Sequence, residues 1–146
     1  MTTAETTVEE IRVGSFVIRF LVEAEATAGT ATLFEFDVPA EGGAPPPHSH
    51  EGWEETIYGV RGTLTWSVDG VATAVGPGEV LCIPRGVVHH FENLGNEVAT
   101  QLAVVTPGLL GPGYFRDMAA VVNLDGPPDR EAILDVMRRH GLTPAS

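Results

Sequence analysis

Gly42-Gly43-Ala44-Pro45-Pro46-Pro47-His48-Ser49-His50-Glu51-Gly52-Trp53-Glu54-Glu55 is the stretch of this chain on which its architecture turns. The first half cannot be helical, because proline lacks the backbone N–H that a helix needs and clashes with the preceding turn. The chain therefore reaches His48 extended. On an extended chain residues two apart share a face, so His48 and His50 project their imidazoles the same way. Glu55 follows five residues later, the wrong parity for one unbroken strand. Gly52 lies between, and a turn there lets a second strand begin and re-aim the carboxylate toward the histidines.

On both sides of this stretch the chain has a strand period. Ile11 to Val22 carries β-branched and aromatic residues in a strand-like run, and Ala31 to Val38 alternates around Phe34 and Phe36. Downstream, short runs at Glu55–Val60, Thr63–Val68, Val71–Val75, Val80–Ile83, Val87–Glu92 and Glu97–Thr106 are separated by turn residues. Among these, Asp69-Gly70 between two strand patterns is a strong hairpin signal. Many short strands at close spacing predict an all-β sandwich or barrel. Helix appears only near the end. Pro127-Pro128-Asp129 supplies a start, Ile133, Val136, Met137 and His140 share a face, Arg138 and Arg139 occupy the last turn, and Gly141 is a stop. A shorter helix is expected from Tyr114 to Val121. The expected organisation is a flexible N-terminus over 1–10, a barrel over 11–110 and a helical tail over 111–146.

Composition removes several function classes. The chain has 146 residues, 43% hydrophobic and 19% charged, enough to bury a core without disulfides. Acidic residues outnumber basic ones 20 to 8, a formal charge of −12. Such a surface repels phosphate backbones and anionic lipid, which argues against nucleic-acid or membrane partners. All eight basic residues are arginine, so Schiff-base and pyridoxal chemistry, which need a lysine amine, are out. No Gly-rich phosphate loop or GxSxG elbow is present. Cys82, in the apolar run Val80-Leu81-Cys82-Ile83, is expected to be a buried thiol. Residues 1–10 are polar and acidic, unlike a signal peptide, and no apolar stretch reaches membrane-spanning length, so a cytoplasmic location is expected.

His89, three residues beyond the Pro84-Arg85-Gly86 turn, adds a third imidazole on a later strand. Three neutral imidazoles and a carboxylate make a mixed nitrogen and oxygen donor set suited to a divalent transition metal.

These residues match a known pattern. Gly42 through His48, His50 and Glu55 to Gly62 resembles the first cupin motif, G(X)5HXH(X)3–4E(X)6G, at every fixed position. Gly78 through Pro84, Gly86 and His89 to Asn93 resembles the second, G(X)5PXG(X)2H(X)3N. The C-terminal tail is similar to that of small bacterial single-domain cupins described as quercetin-dioxygenase-like. The resemblance implies a double-stranded β-helix, or jelly roll, holding one divalent ion (Fe, Mn, Ni, Co or Zn) through His48, His50, Glu55 and His89. The spacing to Gly62 selects Glu55 over Glu54. Asn93 is expected to order a turn, His90 to face away from the metal, Trp66 to be core, and His140 to be incidental.

Strand alternation puts Ile57 and Gly59 beside Glu55, and Val87 and Phe91 beside His89, as the lining of a substrate pocket. Cupins commonly carry a larger apolar residue where this chain has Gly59. The glycine either leaves room beside the metal or marks a bulge or close backbone approach. The apolar lining and the absence of an inward arginine favour a small aromatic or enol-type ligand over a sugar phosphate. The leading expectation is a metal-dependent dioxygenase with Glu55 also acting as a base, as inferred for quercetinases. The alternatives are a redox-neutral isomerase or polyketide cyclase, and a non-catalytic binding module. A homodimer is expected, with Ile11 to Val22 contributing a sheet edge to the contact.

Overall fold

The computed structural model describes residues 8–145. Residues 1–7, most of the segment read as flexible, lie outside the described residues, and Glu9 and Glu10 already belong to the first strand. The strands are β1 (Glu9–Val13), β2 (Phe16–Val22), β3 (Thr32–Val38), β4 (His48–His50), β5 (Glu54–Arg61), β6 (Leu64–Val68), β7 (Val71–Val75), β8 (Val80–Ile83), β9 (His89–Glu92), β10 (Ala99–Thr106) and β11 (Leu142–Pro144). Two helices, α1 (Pro112–Val122) and α2 (Arg130–Arg139), lie between β10 and β11. The strands form two antiparallel sheets, ordered β1-β2-β3-β10-β5-β8 and β11-β4-β9-β6-β7. The architecture is the expected β-barrel with short C-terminal helices.

Alternation builds the core. On β3, Thr32, Phe34, Phe36 and Val38 are buried and the residues between them half-buried. Small residues on β10, Ala99, Ala103 and Val105, leave room for those rings. Trp66 is buried, and its indole N–H donates to Gln101 Oε1 at 2.8 Å. Gln101 Nε2 in turn donates to the Val75 carbonyl at 2.8 Å, so this buried amide is satisfied on both sides.

Four sequence expectations change. The run from Ile11 to Val22 is two strands rather than one, folded back at Gly14-Ser15, where Gly14 has φ +58°. A strand period continues unbroken through a two-residue turn, so alternation alone does not reveal the fold-back. The outer edge of that hairpin is not open. Asn123, at the end of α1, accepts from Gly14 N at 2.7 Å and donates to the Arg12 carbonyl at 2.8 Å, and Arg116 pairs with Glu9. Cys82 is exposed, because β8 is the last strand of its sheet and its alternation turns Val80 and Cys82 outward while Ile83 is buried. Finally, the tail is not purely helical. Asp129 caps α2 by accepting from Ala132 N, Gly141 reverses the chain at φ +85°, and β11 then pairs with β4. Ser49 sits opposite Thr143 and His50 opposite Leu142 in that pairing, so the C-terminus buttresses the histidine-bearing strand.

Candidate metal centre

Three strands converge on the site. β4 carries His48 and His50, β5 carries Glu55, and β9 carries His89 directly across from His48 in register. The turn inferred at Gly52 is present, and it delivers Glu55 to the interior while Glu54 points out to Arg85 at 2.9 Å. Possible ligand atoms of His50, Glu55 and His89 all lie within 4.8 Å of one another, and the three residues are buried. His48 stands beside this group rather than in it: its ring centroid is 4.6 Å from that of His89 and 6.2 Å from that of His50.

The hydrogen bonds prepare the imidazoles for a cation. His48 Nδ1 bonds the Pro46 carbonyl, His50 Nδ1 the Trp53 carbonyl and His89 Nδ1 the Val87 carbonyl, each at 2.9 Å. A carbonyl only accepts, so in each neutral ring Nδ1 carries the proton and Nε2 keeps its lone pair. His50 Nε2 is buried with no partner among the described residues, the state of a nitrogen that needs a cation or a donor. Trp53 stacks on the His50 ring at 4.8 Å and 17°, holding its plane.

Burial sets the charges. It lowers His48 to about 4 and His89 to about 3, and it also lowers His50, so the rings are neutral at physiological pH. Burial raises Glu55 to about 7. Near neutrality the carboxyl can therefore hold or release a proton, as a general base must. Burial also raises the Tyr114 phenol, and the charge of Glu55 adds to that rise.

A cavity of about 380 Å³ opens from His48, Glu55 and His89. Phe16, Phe34, Phe36, Phe91, Tyr114 and Phe115 supply much of its wall, and no arginine borders it among the described residues. Of the four positions read as pocket lining, Phe91 lines it and Ile57, Gly59 and Val87 do not. Ile57 does face inward but is wholly buried in the packed core. Gly59 lies beneath the turn after β7, where a Cβ would come within 1.9 Å of the Gly76 carbonyl oxygen; close backbone approach, not spare room, explains this glycine. Val87 precedes β9 and contributes its carbonyl to His89. His90, placed on the opposite face by alternation, also borders the cavity. Asn93 orders its turn as expected, donating to the carbonyls of Val38 and Glu97 and accepting from Gly95 N.

The wall contributed by α1 was missed. Tyr114, Phe115, Met118 and Val122 all border the cavity, and their spacing along a helix beginning near residue 112 was the available signal.

The cupin-domain family model matches residues 34–105, the span that carries these three donors and His48. The chain belongs to the cupin superfamily. Over 71 residues this cupin is 34% identical to quercetin 2,3-dioxygenase of Bacillus subtilis (strain 168), covering 49% of this chain and 20% of that protein. It is 36% identical over 114 residues to germin-like protein 2-4 of Oryza sativa subsp. japonica, covering 75% of this chain and 47% of the relative. The chain thus spans less than half the length of either relative. Among solved structures, a Thermotoga maritima protein described as a predicted oxalate decarboxylase superposes with a TM-score of 0.59 at 27% identity, covering 70% of this cupin and 94% of that chain. No helix among the described residues is long and apolar enough to cross a membrane.

Proposed function

We propose that this cupin is a metal-dependent dioxygenase acting on a small aromatic or enol-type compound. The observation that carries the reading is the joining of neutral imidazoles and a buried carboxylate to an aromatic-walled cavity. His48, His50, Glu55 and His89 would hold one divalent transition-metal ion, and the orphaned His50 Nε2 fits that role. When bound, such an ion supplies Lewis-acid and redox chemistry toward substrate and O₂.

The chain's own residues do the rest. Glu55, raised to about 7, takes the proton of a substrate hydroxyl. The phenylalanine wall packs the substrate ring and keeps water from it. The absence of arginine from the wall counts against a phosphorylated substrate. The similarity to a quercetin 2,3-dioxygenase supports the same direction.

The test is oxygen uptake by Fe-, Mn-, Ni- and Co-loaded protein offered flavonols, catechols and 1,3-diketones. Uptake is expected with at least one metal, and Glu55→Gln should lower it by about a hundredfold or more, the usual contribution of a positioned base. Glu55's balance near neutrality favours, as a second reading, a redox-neutral isomerase or cyclase. Conversion without oxygen consumption would select that reading, and binding with no conversion would select a ligand-binding cupin.

The assembly proposed with this reading is a cytoplasmic homodimer. Among the described residues β8 pairs only with β5, and it carries exposed Val80 and Cys82, so it presents a sheet edge to a second copy. Light scattering should give twice the 15.5 kDa chain mass at micromolar concentration, and a value near 15.5 kDa would reject the dimer.

A further inference from the structure

We infer that the cavity is an apolar channel running along α1 from the metal centre to the Gly14-Ser15 turn, and that Met118 and Val122 grade the length of an apolar arm on the substrate. The inference rests on the proposed activity and narrows its substrate class to an enol-type or aromatic head that carries such an arm.

Two walls run between the same two ends. α1 starts at the centre: Leu109, just before it, lies against the Gly52 turn that delivers Glu55, and a Cβ built on Gly52 would be 3.5 Å from its Cδ1. α1 finishes at the hairpin: Asn123 holds Gly14 N at 2.7 Å, and a Cβ built on Gly14 would stand 3.3 Å from Val122 Cγ1. Gly42 to Pro46 lines the cavity over the same course in reverse. The Gly42 carbonyl accepts from the Ser15 hydroxyl at 3.2 Å, and the Pro46 carbonyl holds His48 Nδ1 at 2.9 Å. Along α1, Tyr114, Met118 and Val122 are four residues apart, so Met118 lies about 6 Å and Val122 about 12 Å beyond Tyr114. Four residues of extended chain from Gly42 to Pro46 span about 13 Å at most, the same length. The mouth is at the hairpin end, where the lining residues Gly14, Ser15, Gly43, Ala44 and Pro128 are exposed, whereas Glu55 and His89 are buried.

Size and polarity then define the ligand. The volume of about 380 Å³ is more than twice the roughly 150 Å³ that suffices to enclose benzene, so one ring beside the metal would leave most of the channel empty. Polar side chains crowd the inner end, with His48, Glu55, His89 and His90. Beyond Tyr114, α1 offers Phe115, Met118 and Val122, and the facing segment offers glycine, alanine and proline. Ser15, at the mouth, has its hydroxyl spent on Gly42. A polar group on the arm would be desolvated there without a side-chain partner among the described residues, so the arm must be apolar. Met118 and Val122 lie outside residues 34–105, so this selection is separate from the metal-binding motifs.

The experiment titrates zinc-loaded protein with a series of straight-chain hydroxamates: aceto-, butano-, hexano-, octano-, decano- and dodecanohydroxamate. The head chelates zinc and only the arm varies. Affinity should rise about fourfold per buried methylene. It should level once the arm, advancing about 1.2 Å per bond, has passed Val122, after about ten bonds. Met118→Trp blocks the channel about halfway and should weaken octanohydroxamate about tenfold or more while leaving acetohydroxamate within about twofold. Val122→Trp, farther out, should spare hexanohydroxamate and weaken decanohydroxamate about tenfold. That order, inner residue against shorter arms and outer residue against longer ones, does not arise from a residue that merely supports the fold. Zinc content and a thermal melt accompany each variant, and if buried Met118→Trp does not fold, the wild-type series and half-buried Val122→Trp still decide. A wild-type series that stays level, or climbs without levelling, overturns the inference even in a protein that consumes oxygen. So do variant losses that are equal for every arm length. The expected series in a protein that consumes no oxygen with any metal supports the channel and overturns the dioxygenase reading instead.

Discussion

Gly59→Val is expected to lower the melting temperature by about 10 °C or more, the consequence of about 3–5 kcal/mol of lost stability in a domain of this size. The reason is backbone against side chain. A Cβ built on Gly59 would stand 1.9 Å from the Gly76 carbonyl oxygen and 2.7 Å from its carbon. Neither atom can yield cheaply. Gly59 N donates to the Glu79 carbonyl at 2.9 Å, Gly78 N donates to the Gly59 carbonyl at 2.8 Å, and Gly76 N is held by the Glu79 carboxylate at 2.8 Å. The turn is pinned onto the strand from both sides. Gly59's φ lies outside the left-handed region, so the cost is collision and not backbone strain. Gly59→Ala should therefore be harmful as well, since it adds the same Cβ. A thermal melt of the two variants decides the matter. A valine variant that melts like wild type would mean that the turn can move aside and that the glycine is there for another reason.

Gly59 also shows where sequence legibility ended. Alternation placed it on the inner face of β5 with Glu55 and Ile57, and that much holds, since Glu55, Ile57 and Gly59 are all buried. Facing inward does not mean facing the cavity, and only the crossing of a distant turn distinguishes the two. The histidines and Glu55 were readable because each is anchored to a local feature: the proline run before His48, the turn at Gly52 and the Pro84–Gly86 turn before His89. The cavity's far wall was not, because Tyr114 and Phe115 reach the site through the docking of α1, a long-range contact with no periodic signature in the strands. β11 escaped for a related reason. Three residues, Leu142-Thr143-Pro144, are too few to show a period, and their strand state exists only because β4 offers them an edge. Exposed Cys82 is the converse case. Its apolar neighbours suggested burial, while the position of β8 at the end of a sheet turned it outward.

Metal affinity is expected to fall about fiftyfold between pH 7 and pH 5, with proton release per ion rising from about a half to about one, and Glu55 is the group responsible. An ion must displace any proton on its ligands, so each ligand protonated at the working pH costs tenfold in affinity per unit below its own pKa. The sequence alone points to the histidines, whose ordinary value is about 6.5. Burial moves them out of the window. With His48 at about 4 and His89 at about 3, these rings are already neutral at pH 5 and have nothing to release. Glu55, raised to about 7, is half-protonated at the top of that interval and almost fully protonated at its bottom. The same shifts act on the metal-free protein in opposite senses. Glu55 keeps a proton in the native state that the unfolded chain loses above about 4.5, so its contribution to stability is present at low pH and lost as pH rises through 7. The two histidines refuse protons that the unfolded chain accepts below about 6.5, so their contribution is intact above that value and lost as pH falls toward 3. An added ion relieves the first penalty by neutralising the buried carboxylate, so it should stabilise the protein most above pH 7. Calorimetric titration with zinc at pH 5, 6, 7 and 8, in two buffers of different ionisation enthalpy, measures both affinity and proton release. Glu55→Gln should flatten the pH dependence, and His50→Ala or His89→Ala should abolish stoichiometric binding at micromolar protein. Affinity that stays level from pH 7 to 5 would take the role from Glu55, and no binding at pH 8 would dissolve the centre altogether.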